Sequence, residues 1–330
     1  MTARRSPHPI SPRWVTVDIP AGAAYLAFAG DTHSEIPGFL GWLEDIQAVY
    51  GDSLKHLGFA GDICDKAWDQ EVFDTFRAGL EEHMPGAFGV TLGNKEYAAG
   101  SPAADWDELG EGFLRLGEAV ATEDYIVYHF GAAQEDQSFT QEDLDALAAY
   151  LDEAPNNIPI FVLSHFPLHL AMATAAHSIP GSDHRQTILN DAAIKVLNAH
   201  PNVIFLWGHN HTFQDTRYGT IRPAGSHFTW NYDDLTDKVQ INFIYANYGS
   251  FCRGDTYGLL AEVLRSGDDV QVKLDYIDTN VPMETKERAV LTFAADGTVR
   301  ADITAGTGID MVEMLEMSGY LDDPNFEAEY

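Results

Sequence analysis

Five apolar runs, Ala24–Ala29, Leu57–Ala60, Ala87–Leu92, Ile158–Leu163 and Val203–Trp207, each stop at a short polar motif. Runs this short, bounded by turn residues, suit strands buried on both faces of a layered sheet. Amphipathic stretches fall between them, at roughly 38–50, 69–83, 140–153 and 187–199. Thr140-Gln141-Glu142-Asp143 opens the third with an N-cap hydroxyl and an acidic first turn, which the helix dipole favours. The alternation of strand and helix predicts an α/β fold.

Beyond Gly219 the pattern changes. Ile241–Asn247, Tyr257–Arg265 and Asp269–Tyr276 read as successive strands, with Ser266-Gly267-Asp268-Asp269 as a hairpin turn. Val290–Phe293 and Val299–Ile303 read as a further hairpin through Ala294-Ala295-Asp296-Gly297. The expected division is an extension at 1–20, a main domain at 21–280 and a C-terminal hairpin with an acidic tail at 281–330. Residues 97–118 read as an insertion, and no internal repeat is present.

The motifs that end the runs are Gly30-Asp31-Thr32-His33, Gly61-Asp62-Ile63-Cys64-Asp65, Gly93-Asn94-Lys95-Glu96, Ser164-His165 and Gly208-His209-Asn210-His211. Each follows a strand directly, so all project from the carboxyl edge of the sheet, where sites in α/β folds lie. Asp31, His33, Asp62, Asn94, His165, His209 and His211 form an oxygen- and imidazole-rich set suited to two hard or borderline divalent metals. Singly the signals are weak: Asp-x-His arises by chance, and a lone His165 is more often a hydrogen-bonded core histidine. Gly-His-x-His is stronger, because alternating histidines at a strand end address two metals. The ordered set outweighs the structural alternative.

In this order the motifs resemble those of the calcineurin-like metallophosphoesterase superfamily: Asp-x-His, Gly-Asp-x-x-Asp, Gly-Asn-His-Glu or Asp, a lone His, then Gly-His-x-His. The match runs from Asp31 to His211. It implies a four-layer αββα sandwich, here with a C-terminal β-rich extension, and a two-metal phosphoesterase site. By motif, Asp31, His33, Asp62 and His211 would bind one metal, with Asp62 bridging, and Asn94, His165 and His209 would complete the second. Manganese, iron or zinc each suit these ligands. The purple acid phosphatase branch is a poorer likeness, since its tyrosine ligand is absent and Asp65 stands at that spacing. In the family, two metals activate a water and clamp phosphoryl oxygens, and no covalent protein nucleophile is needed.

One position departs from the pattern. Lys95 stands where the family has a histidine that contacts substrate and assists the leaving group, oriented by the carboxylate at the place of Asp65. Lys95 and Asp65 are therefore the candidate catalytic pair. Three readings stand open: Lys95 offsets transition-state charge, or marks a change that lowers turnover and spares metal binding, or only pairs with Asp65. A protonated lysine donates hydrogen bonds and is a poor general acid near its reference pKa of about 10.4. Some small bacterial members of the superfamily carry cysteine there and act on diesters, which favours a diester or an activated ester.

Candidate substrate contacts are His169 beside His165, Arg185 within the loop-like segment 176–187, and His227 beside Phe228 and Trp230. Each also has an ordinary explanation: a turn cap, a surface arginine and a packed strand end. Composition narrows the partners. A formal net charge of −32, from 51 acidic against 19 basic residues, repels nucleic acid and anionic bilayers. It reads as a solubility adaptation of the surface. A nuclease would need a basic tract, and none exists. The expected partner is a small phosphate ester; oligomeric state is open. Cys64 and Cys252 read as independent thiols. No stretch approaches the roughly 20 apolar residues of a membrane span, and the expected compartment is cytoplasmic. A secreted protein shorn of its signal would read the same. The rival to an enzyme is a metallophosphoesterase fold used as a binding or scaffold module.

Overall fold

The computed structural model describes residues 19–65, 68–84, 88–96, 117–130, 139–168, 190–209, 221–229, 238–252, 256–278 and 286–303. Strands β1 (Ala24–Ala29), β2 (Leu54–Ala60) and β3 (Phe88–Thr91) run parallel, joined by α1 (Ile36–Tyr50) and α2 (Gln70–His83). The chain then builds a second sheet. Its strands are β4 (Ala119–Ala121), β5 (Ile126–His129), β6 (Ile160–Leu163), β7 (Val203–Trp207), β8 (Ile221–Arg222) and β11 (Ile244–Asn247), in the order β4-β5-β6-β7-β11-β8. Helices α3 (Gln141–Glu153) and α4 (Asn190–Asn198) belong to this half, and β9 (His227–Thr229) with β10 (Lys238–Gln240) forms a separate hairpin.

The chain finally returns to the first sheet. Strands β12 (Gly249–Ser250), β13 (Tyr257–Ser266), β14 (Asp269–Asp278), β15 (Lys286–Phe293) and β16 (Val299–Ile303) add to its free side, in the order β16-β15-β14-β13-β1-β2-β3 with β12 beside β13. The β-rich extension therefore widens the sandwich: β15 pairs with β14 from Val270 opposite Phe293 down to Tyr276 opposite Lys286, across the expected boundary at 280/281. The tail 304–330 and most of 97–118 lie outside the described residues.

Side-chain alternation along β1 makes the layers. Tyr25, Ala27 and Ala29 pack with α1, α2 and the outer face of β2, where Phe39, Phe59 and Phe76 meet. Leu26 and Phe28 point the other way, into the core shared with the second sheet, and Phe28 stacks on Phe161 of β6 at 5.3 Å. This is the αββα sandwich. Truncating such a core aromatic costs about 3–5 kcal/mol. The expected N-cap of α3 is present: the Thr140 hydroxyl accepts from Asp143 N at 3.0 Å and Asp143 reaches back to Thr140 N at 3.2 Å. Asp69 caps α2 by accepting from Glu71 and Val72 N. Among the described residues no helix is long and apolar enough to cross a membrane.

Candidate metal centre

The parallel strands of both sheets present their carboxyl ends at one place, and the polar motifs meet there. Backbone hydrogen bonds lace the turns together. Asp31 N donates to Gly61 O, His33 N to Asp62 O and Ser34 N to Ile63 O at 2.8–3.0 Å, so the turn after β1 rests on the turn after β2. Glu96 locks the third turn to the second: its buried carboxylate accepts from Asp62 N, Ile63 N and Gly93 N at 2.7–2.8 Å. Burial and the neighbouring Asp62 charge raise the Glu96 pKa, and these three N–H donors pull against them.

Every non-glycine residue with positive φ among the described residues lies in this region: Asp31, His33, Ser34, Asp62 and His209. Such a backbone costs of order 1–3 kcal/mol per residue and persists only where surroundings enforce it. Asp and His tolerate it better than most residues. The strain therefore falls on the side chains that converge.

Two clusters result, sharing Asp62. In the first, ligand-capable atoms of Asp62, His165 and His209 all lie within 4.8 Å of one another; in the second, those of Asp31, His33 and Asp62 do. His33 Nε2 is 3.2 Å from Asp62 Oδ2 and 4.0 Å from Asp31 Oδ1. His165 Nε2 is 3.5 Å from Asp62 Oδ1 and 3.1 Å from His209 Nδ1. His165 Nδ1 lies 2.6 Å from Ala60 O, which can only accept, so Nδ1 carries the proton and Nε2 offers a lone pair to the cluster. Burial opposes the Asp62 charge, but His165, His33 and His209 overcome it and hold the carboxyl well below the usual range. Burial likewise works against charging His33, and Asp62 with Asp31 raises its pKa nonetheless.

Asn94 shows what kind of guest fits. One end of its amide faces His165 Nε2, His209 Nδ1 and both Asp62 oxygens at 3.0–3.3 Å. With NH2 turned inward it donates to them. With the carbonyl inward, five lone-pair atoms converge, an arrangement a cation relieves. Carboxylate, imidazole and amide donors together suit a divalent metal ion.

The structure thus brings together Asp31, His33, Asp62, Asn94, His165 and His209. His211, His169 and Arg185 lie outside the described residues. Lys95 sits at the cluster, half-buried: its backbone N donates to Asp62 Oδ1 at 2.9 Å, and its charge opposes that of His33. Asp65 is not drawn to Lys95. Its half-exposed carboxylate lies 3.5 Å from His33 Nδ1, and no ion pair among the described residues joins it to Lys95. His227 begins β9 with an exposed side chain, its carbonyl accepting from Arg222 Nη1 at 3.0 Å; among the described residues no hydrogen bond or ion pair links it to the cluster.

Two participants went unassigned in the sequence. Glu96 stood inside a motif and carried the signal in plain view. Tyr248 follows β11, a sixth apolar run that stops at a polar motif, Asn247-Tyr248-Gly249-Ser250. Its buried hydroxyl lies 3.1 Å from Ala60 O and 3.3 Å from His165 Nδ1. Burial pushes the phenol far above its ordinary pKa, with the Asp31 and Asp62 charges adding, so the O–H stays protonated.

Residues 25–213 match the calcineurin-like phosphoesterase family, more than half of the chain. The chain belongs to that family. The family acts on phosphate esters and typically binds metal ions, in keeping with the Asp/His clusters of this calcineurin-like phosphoesterase. Among solved structures it is similar to a predicted phosphoesterase from Streptococcus pneumoniae, at 13% identity and TM-score 0.33 over 86% of this chain and 99% of that one. A phosphopantetheinyl hydrolase from Mycobacterium tuberculosis gives 15% and 0.37 over 70% and 92%. Vps29 of Chaetomium thermophilum gives 11% and 0.34 over 86% and 97%. These values are too low to bear on function. No curated protein matches the chain significantly.

Proposed function

We propose that this phosphoesterase hydrolyses a small phosphate ester, a phosphodiester or phosphomonoester, with a water activated at a dinuclear metal centre. The reading is carried by one observation: two Asp/His clusters share the single buried carboxylate of Asp62. Asp31, His33 and Asp62, with His211, would hold one ion; Asp62, Asn94, His165 and His209 would hold the other. Bound ions would supply Lewis acidity, activating water and neutralising phosphoryl oxygens. The chain's own residues set the rest. Asp62 ties the two half-sites together. Neutral Asn94 and the imidazoles limit negative charge at the centre, so that an anion is accepted despite the acidic surface. Lys95 places a cation beside the cluster for a phosphate oxygen. Asp65, facing His33, holds that ring and leaves Lys95 to the substrate.

Lys95 also supports a second reading, a weakened or inactive member serving as a binding scaffold, because no histidine assists the leaving group. Elemental analysis with assays on bis-p-nitrophenyl phosphate and p-nitrophenyl phosphate separates the two. The enzyme reading expects near two transition-metal ions per chain and turnover of the diester above the monoester. Metal with no turnover of either, unchanged in Lys95→His, would establish the scaffold. Less than one ion per chain from metal-replete protein, indifferent to His209→Ala and His165→Ala, would remove the metal centre altogether.

A further inference from the structure

Tyr248 directly follows β11 of the second sheet, and two of the motif glycines stand against its ring. A Cβ on Gly30, at the end of β1, would stand 2.7 Å from the Tyr248 ring; one on Gly208, at the end of β7, would overlap its hydroxyl. Real Cβ atoms do not approach that closely. The phenol is thus wedged between a turn of the first sheet and a turn of the second, directly before Asp31 and His209. Tyr248 N is anchored to Trp207 O at 3.0 Å, which fixes the ring's origin on the second sheet.

The hydroxyl has one proton and two lone pairs. His165 Nδ1 is a donor, because Ala60 O at 2.6 Å can only accept. The phenol oxygen at 3.3 Å can therefore share that N–H, while its own proton goes to Ala60 O at 3.1 Å. His209 N grips the Asp31 carboxylate from the other side, through Oδ2 at 3.1 Å. The phenol thus touches His165 of one cluster at the nitrogen that lies 4.0 Å from Asp31 Oδ1 of the other.

We infer that Tyr248 is a positioning residue whose hydroxyl sets the orientation of His165 and Asp31 together, and so the spacing of the two metal half-sites. Its side chain is fully buried, so it acts through those two residues. The inference rests on the dinuclear reading above. Outer partners of this kind change metal affinity by about 10–100-fold when removed.

The experiment compares wild type and Tyr248→Phe, which keeps the ring and deletes the hydroxyl. Metal-stripped protein is titrated with Mn2+ and Zn2+ by calorimetry, and Co2+ loading is followed by its visible ligand-field spectrum. Melting of the stripped proteins is recorded in parallel. The expected result is a melting point within about 5 °C of wild type, metal affinity weaker by about tenfold or more, and a shifted Co2+ spectrum. Equal affinity and an identical spectrum would overturn the inference and leave the metal centre standing. A fall in melting point above about 10 °C would overturn it too, by making Tyr248 a packing residue. A wild type that takes up no metal would remove the centre and the inference together.

Discussion

Lowering the pH should destabilise this protein through a buried histidine pair that belongs to none of the polar motifs. His56 of β2 and His129 of β5 are both buried and face each other across the two sheets, with their Nε2 atoms 3.3 Å apart. Among the described residues His129 Nδ1 has no hydrogen-bond partner, so its proton belongs on Nε2, donated to His56. A second proton on the pair would bury an uncompensated charge. Burial accordingly lowers His56 from its ordinary value of 6.5 to about 4, and burial with the His56 charge holds His129 well below 6.5. The unfolded chain binds protons first. Stability is complete above pH 6.5 and falls as pH drops towards 4, by up to about 1.4 kcal/mol per pH unit for each histidine. His56 alone should lose about 3 kcal/mol across that window. Urea unfolding of wild type and His56→Gln, in chelator at pH 7.5, 6, 5 and 4, isolates the effect. The variant starts lower at pH 7.5, since a packed ring is lost, but its curve should be flatter by about 3 kcal/mol. Parallel curves down to pH 4 would show that the pair titrates normally, and that the account of its burial is wrong.

Three further outcomes follow from the centre. Gly93→Ala would place a Cβ against Asp62 Oδ1 and 2.9 Å from His165 Cε1; metal affinity should collapse by calorimetry while far-UV circular dichroism stays near wild type. Glu96→Gln would turn an amide NH2 towards backbone N–H groups that now bond a carboxylate, costing about 1–3 kcal/mol per unsatisfied donor; a melting point unchanged from wild type would discount the clamp. Adding metal at about 100 times its Kd to stripped protein should stabilise the fold by about 2.7 kcal/mol, read as a rise in urea midpoint that His165→Ala abolishes.

The elements that carry the site were legible because their signals are local. A short apolar run needs only its own residues to be a buried strand, and β1 and β7 fall where the runs do. The cap of α3 is a four-residue event. The convergence of the polar motifs was legible for the same reason: each motif sits at a strand end, and parallel strands bring their ends to one edge. The missed elements carry weak local signals. Strands β4 and β8 are short edges, three and two residues long, held by their neighbours more than by their own pattern.

What only the tertiary structure decided is which distant side chains share a contact. An apolar run announces a strand without naming its neighbour: Tyr25 of β1 hydrogen-bonds Glu262, 237 residues later, at 2.6 Å. That return of the chain to the first sheet makes the C-terminal strands part of the sandwich. The same holds at the centre. Asp65 faces His33, Glu96 clamps the turn of Asp62, and Tyr248 reaches across to Gly30, because sheet packing sets those directions. The sequence by itself determined which chemical groups are available and on which edge they stand. Packing determined how they are aimed, since orientation depends on contacts between residues that the chain keeps far apart until it folds.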